Sequence, residues 1–345
     1  MIDAREAAMR LVLSAVHHTG LGALAALLLA TSGAILMLHR VTDAAYSPLG
    51  LNRGLAISPG FLDRLLADLP RRGLRVVSLD ELLEALSAGR ARGLVALTAD
   101  DGYLDNLTEA LPVLEAHVAP ITIYVAPGLT NGDVLPWWEA VENFVAASDV
   151  VHMPTANGTE TIDCRDTPAR RAAAARIMVH LATKVAEGEQ QAYLTRMGIR
   201  APSERQFMNW RELRRLSDHP LVDIGAHTVN HCNLSRLSAA KAAHEMADSA
   251  TVIELELGRR PRHFAYPYGG PAAAGARETG LARAAGFASA VTTRHGVLHA
   301  DHAGHLHALP RVSVNGNFQK LSYSRALLSG VPMLLANRGR RFVTV

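Results

Sequence analysis

The chain has 345 residues, a formal charge of +3 and a pI near 9.0, with 49% hydrophobic and 19% charged residues. Those proportions exclude a disordered chain and leave room for one large α/β domain or two smaller ones. Arginine pairs such as Arg71-Arg72 and Arg259-Arg260 are scattered without interleaved aromatics, so no nucleic-acid groove is expected, and two cysteines, Cys164 and Cys232, imply no disulfide framework.

Residues 1–30 read as helical and apolar. The uncharged stretch 21–38 approaches the roughly 20 residues of a membrane span. It is interrupted by the turn signal Thr31-Ser32-Gly33, and its end, Ala34-Ile35-Leu36-Met37-Leu38, reads as a buried strand. Upstream, Asp3, Arg5, Glu6 and Arg10 mix signs, unlike the basic start of a secretory signal. A helix leading into a first strand is therefore expected, with no stable membrane span. A cytoplasmic location follows, with anchoring or export through residues 21–38 as the alternative.

Strand-like runs then fall at 34–39, 75–79, 94–98, 121–125, 222–227, 263–266 and 288–292. Helical patterns lie between most of them, at 58–72, 79–88, 105–117, 239–257 and 277–285. Ser58-Pro59 caps the first of these helices and Gly73 closes it. Repeated strand-then-helix order predicts α/β with a parallel sheet, and about seven units favour a distorted barrel over an open sheet.

Residues 131–210 break that rhythm with Trp137-Trp138, a polar stretch, and a helix-rich segment over 167–197. Residues 150–165 read as a hairpin turning at Asn157-Gly158. The region is expected to be a helical and hairpin insertion at the barrel rim. The tail after Asn317 reads as helical to about Ser329 and then basic. The expected organisation is a helical segment 1–33, a barrel over 34–317 and a C-terminal helix and tail over 318–345.

Three strand ends carry chemistry. Asp100 and Asp101 follow the apolar run Leu94-Val95-Ala96-Leu97-Thr98, and ligands collect at strand C-termini in α/β folds. Adjacent carboxylates repel, so the pair asks for a cation or a shared proton. His227 and His231, four apart after the strand ending at Ile224, can reach one metal ion. Neutral imidazoles with one carboxylate suit zinc and neighbouring transition ions. Phe264-Ala265-Tyr266-Pro267-Tyr268-Gly269-Gly270 reads as a stiff loop presenting backbone N–H groups beside the site.

These segments, in this order, resemble the polysaccharide deacetylases of carbohydrate esterase family 4, the NodB-like domain. The matching residues are Thr98-Ala99-Asp100-Asp101-Gly102, His227-Thr228-Val229-Asn230-His231 and Ala265-Tyr266-Pro267-Tyr268-Gly269, with support from Ile35-Leu36-Met37-Leu38-His39-Arg40-Val41 and Leu309-Pro310-Arg311-Val312-Ser313. The resemblance spans roughly residues 34 to 315. It implies one divalent metal, zinc first and other transition metals also fitting, held by Asp101, His227 and His231. It also implies Asp100 as general base and the Tyr268 N–H as oxyanion donor. The family's acid histidine has no clean counterpart; His305 and His307 are the candidates, with His305 preferred.

The family's third-motif arginine is replaced by Ala265, and Arg311 is expected to hold Asp100 instead. The family's phenylalanine is Ala99 here, removing bulk beside the site. Trp137 and Trp138 are expected to be buried in the insertion, a sugar-stacking wall being the alternative. The implied activity is removal of N-acetyl groups from N-acetylglucosamine units in an oligo- or polysaccharide. Hydrolysis of another amide, such as a formyl sugar or a cyclic imide, or a catalytically degenerate carbohydrate binder, are the competing readings.

Overall fold

The computed structural model describes residues 4–18, 32–202 and 204–345. In chain order its strands are β1 (Ala34–Leu38), β2 (Arg40–Val41), β3 (Ala56–Ile57), β4 (Arg75–Val77), β5 (Leu94–Ala99), β6 (Ile121–Val125), β7 (Val150–Thr155), β8 (Gly158–Asp163), β9 (Val222–Ala226), β10 (His263–Ala265), β11 (Ser289–His295) and β12 (Leu309–Ser313). Seven of them run parallel in the order β1-β12-β11-β10-β9-β6-β5, and β5 pairs back onto β1 to close the ring. The architecture is an α/β closed seven-stranded parallel barrel of the NodB-like kind.

The expected strand at 75–79 is the one that does not enter the ring. β4 pairs with Leu94–Ala96 while β6 pairs with the following residues Leu97 to Ala99, so β4 hangs beside the barrel as an eighth strand. The seventh ring member is β12.

The ring strands read as continuous apolar runs because both of their faces are covered; β1 and β5 are buried at every position. Ile35, Ala96, Tyr124, Ala265, Val291 and Leu309 form the inner core, sealed below by Leu82, Leu83 and Leu86 of the helix Leu79–Ser87. Alternate residues, including Leu36, Leu38, Val95, Leu97 and Ile123, pack outward against the helices. Ala99 belongs to that outer layer, so its small side chain does not open space at the site. Gly225 is required inside the ring, because a Cβ there would lie 2.4 Å from the Tyr124 ring.

Between β6 and β9 the chain leaves the ring. The helices Trp137–Ala146, Thr167–Thr183 and Gln190–Arg196 and the antiparallel hairpin β7–β8 share their own apolar core around Val141, Val145, Ile177 and Leu181. The hairpin turns one residue earlier than expected: Thr155 pairs with Gly158, so Ala156-Asn157 form the loop and Gly158 takes the positive φ.

At the C-terminus, Tyr323 and Ala326 of the helix Leu321–Leu328 pack on Leu13 and Val16 of the helix Ala4–His18. Where helix was expected to stop near Ser329, a second short helix, Val331–Ala336, follows. Residues 19–31 lie outside the described residues, and with them most of the apolar stretch 21–38. Among the described residues no helix is long and apolar enough to cross a membrane.

Candidate active site

Parallel strands deliver their C-terminal residues to one rim, and β5 delivers two carboxylates there. Asp100 continues the inward column of Ala96 and Thr98. Asp101 breaks out of the strand with φ +74, followed by Gly102 at φ +73. This left-handed bend sends two adjacent side chains to different partners, which relieves their repulsion.

Asp100 is gripped by Arg311 from β12. Nη1 donates to Oδ1 and Nη2 to Oδ2, each at 2.7 Å. The same guanidinium donates from Nη1 to Thr98 Oγ1 at 3.1 Å and from Nε to the Thr292 carbonyl at 2.9 Å, and it is fully buried. Burial alone would raise the Asp100 carboxyl, but the Arg311 charge and its hydrogen bonds outweigh it and hold Asp100 below the usual carboxylate range. A planar fork matched to a carboxylate is what arginine supplies and lysine does not.

Asp101 faces the two histidines. Its Oδ1 lies 3.3 Å from His227 Nε2 and 3.1 Å from His231 Nε2, and one ligand atom from each of the three residues lies within 4.8 Å of the others. Neither ring nitrogen is aligned for a hydrogen bond, so among the described residues Oδ1 is a buried acceptor without a partner. Ligand atoms about 2.0–2.2 Å from an ion lie roughly 3–3.4 Å apart, so these residues fit a divalent metal.

Protonation fits as well. Burial would raise the Asp101 carboxyl, yet the facing His231 and His227 keep it well below its usual range, and burial pushes the His231 imidazole down. His227 donates from Nδ1 to the Ala265 carbonyl at 2.7 Å, which turns its Nε2 lone pair toward the site. Thus Ala265 orients the His227 ring through its backbone carbonyl.

Tyr268, at φ +61, closes one side of this pocket. Its ring lies 5.2 Å from that of His231, its hydroxyl accepts from Trp137 Nε1 at 3.0 Å, and its carbonyl accepts from Thr293 Oγ1 at 2.6 Å. Trp137 is largely buried in the insertion core, as expected. Trp138 is not: half-buried, it lays its ring 4.7 Å from that of His231 and donates from Nε1 to Tyr103 Oη at 3.2 Å. The insertion therefore supplies a wall of the site.

Two sets of residues escaped sequence reasoning. His39, just after β1, places Nε2 3.9 Å from Asp100 Oδ2 with its side chain 22% exposed. It was visible only as part of the opening strand motif. Behind it, buried Arg40 donates to Asp105 at 2.8 Å and Glu139 at 3.2 Å, and Glu139 also accepts from Tyr103 Oη at 2.8 Å and from Gln206. This lattice ties β2 and the segment after β5 to the insertion behind the site.

His305 and His307 are brought nowhere near it. Both precede β12 and so lie at the rim where the strands begin. The His305 ring packs 5.1 Å from Phe342, and His307 Nε2 donates to the Phe287 carbonyl at 2.7 Å. The expectation that His305 is the acid is corrected by topology, since a residue ahead of a parallel strand belongs to the opposite rim.

Comparison with known proteins agrees with this geometry. Residues 175–287 match the family model described as polysaccharide deacetylase, a segment containing His227, His231 and Tyr268. No curated protein matches the chain. Among solved structures, the fold is similar to that of the Streptococcus pyogenes deacetylase PplD in complex with acetate (TM-score 0.58, 20% identity, covering 86% of this chain and 97% of that one). It is also similar to IcaB from Ammonifex degensii (TM-score 0.53, 19% identity, 86% and 97%) and to the de-N-acetylase from Aggregatibacter actinomycetemcomitans (TM-score 0.54, 15% identity, 85% and 99%).

Proposed function

We propose that this chain, which matches the polysaccharide deacetylase family model over residues 175–287, is a metal-dependent hydrolase removing N-acetyl groups from N-acetylglucosamine units of an oligo- or polysaccharide. The observation that carries this reading is the pairing of two aspartates with separate partners, Asp101 with His227 and His231, and Asp100 with Arg311. A degenerate binder would gain nothing from keeping such a set buried.

Asp101, His227 and His231 would hold the ion, with zinc the first choice for this nitrogen and oxygen donor set. When bound it supplies a Lewis acid that polarises the amide carbonyl and lowers the pKa of a water to about 7. Asp100, held ionised by Arg311, is the base that would take a proton from the attacking water. The Tyr268 N–H is assigned to the developing oxyanion. His39, beside Asp100 and open to solvent, replaces His305 as the donor of a proton to the departing amine. Trp138 offers an aromatic face to the sugar ring beside His231.

Acetate release from N-acetylglucosamine oligomers, compared with formyl amino sugars and cyclic imides, tests the substrate. Turnover of N-acetyl oligomers is expected. Turnover of only another amide would overturn the substrate, and metal binding without turnover of any would return the binder reading.

A further inference from the structure

The two histidines are held in different ways. His227 is fixed through its ring by the Ala265 carbonyl, whereas His231 Nδ1 has no hydrogen-bond partner among the described residues. The aim of the His231 ring is therefore left to ring packing and to the backbone bend between the histidines. That bend is strained: Thr228 at φ +60 and His231 at φ +50 are left-handed without being glycine. Such a conformation persists only where its surroundings over-determine it.

The surroundings clamp it from two sides. On one, the Gly128 N–H donates to the Val229 carbonyl at 2.8 Å, and a Cβ at Gly128 would come within 2.9 Å of that oxygen. On the other stands Glu245, from the middle of the helix Ala239–Leu257. Its Oε2 accepts the successive N–H groups of Val229 and Asn230, each at 2.9 Å, and its Oε1 accepts from Asn230 Nδ2 at 2.6 Å. A half-buried carboxylate is thus spent on the turn joining two ligand positions. It borders a cavity of roughly 570 Å³ shared with Trp138, Asn230, His231, Lys241 and Asp248.

We propose that Glu245 is a positioning residue for the metal centre, fixing the 228–231 bend so that His231 reaches the same ion as Asp101 and His227. The inference rests on the metal reading of that triad. Outer-shell groups of this kind typically contribute 10- to 100-fold in metal affinity. Glu245 takes this role because the usual partner, a group on the far nitrogen of His231, is missing among the described residues.

Zinc affinity of the full-length chain, measured by chelator competition with zinc alone, tests it for wild type, Glu245→Ala, Glu245→Gln and Asp248→Ala. Glu245→Ala is expected to weaken zinc binding about 10- to 100-fold, while Asp248→Ala, on the same cavity and helix, leaves it unchanged. Glu245→Gln is expected to lose less, because its amide oxygen still accepts while its NH2 faces that of Asn230. Near-UV and far-UV circular dichroism of the metal-free proteins establishes folding. A folded Glu245→Ala protein binding zinc like wild type overturns the proposal and leaves the metal site standing. If Glu245→Ala fails to fold, Glu245→Gln decides, with wild-type affinity overturning the proposal and weakened affinity upholding it. A wild-type chain that binds no zinc overturns the metal reading itself.

Discussion

The two rims of the barrel use histidine in opposite ways. At the rim where the strands begin, each buried ring found there is satisfied by fixed neighbours. His263 lies between Ser289 Oγ at 2.9 Å and Asp80 Oδ1 at 3.1 Å, and its hydrogen bond holds the Asp80 carboxyl below its usual range. His302 accepts from the His299 N–H at 2.9 Å and donates to the Val343 carbonyl at 3.0 Å. At the rim where the strands end, Asp101 Oδ1 and His231 Nδ1 lack partners among the described residues. Of the six non-glycine residues with positive φ among those described, Asp101, Thr228, His231 and Tyr268 are all there. Unsatisfied atoms and strained backbone cost stability, and here they gather where a ligand would repay them. Histidine number says little in this chain; what surrounds each ring decides its use.

That contrast can be broken most severely at Asp100. Asp100→Asn is expected to lower kcat about 10²- to 10⁴-fold while zinc stoichiometry stays at wild type; a folded variant with near-normal kcat would remove the base. Next comes its partner. Arg311→Ala leaves a buried carboxylate unpaired and should destabilise the fold by about 3–5 kcal/mol, read from denaturant unfolding, and Arg311→Lys should restore only part. A stable, fully active Arg311→Ala would sink the idea that this guanidinium replaces the family's missing one.

A smaller effect sharpens the comparison between rims directly. His39→Gln is expected to lower kcat on the order of 10²-fold. His305→Gln should leave it unchanged; the reverse result would restore the acid to the opposite rim. On that rim, His263→Leu strands the Ser289 hydroxyl and one Asp80 hydrogen bond, for a cost of about 1–3 kcal/mol, with kcat of the folded protein intact.

The smallest expected effect is in pH dependence. Asp100 and Asp101 titrate below an unfolded value of about 3.9, so their stabilisation is present above about pH 4 and disappears as pH falls through their lowered native values. Acid unfolding of Asp100→Asn should therefore be less steep than that of wild type below about pH 4. Parallel curves would contradict the Asp100 assignment.

The barrel was legible because its signal is local: short apolar runs alternating with capped helices leave a parallel sheet as the economical answer. The Asp101, His227 and His231 cluster was legible because strand ends and a four-residue histidine spacing are chain-local too. What failed depends on which rim a loop joins. His305 sits four residues before β12 and His39 one residue after β1, and a sequence does not display that difference until each strand's limits are known. β4 failed for a related reason, since a three-residue run reads alike inside or beside a ring. Glu245 lies mid-helix with no motif of its own, and its use appears only once the helix packs under the histidine bend.

The most direct test of the central claim is metal content per chain of the purified protein, measured together with acetate release from N-acetylglucosamine oligomers before and after chelation. The account predicts one divalent ion per wild-type chain, its loss in Asp101→Asn, and acetate release that stops on chelation and returns with added zinc. A wild-type chain without stoichiometric metal, or acetate release indifferent to its removal, would contradict it.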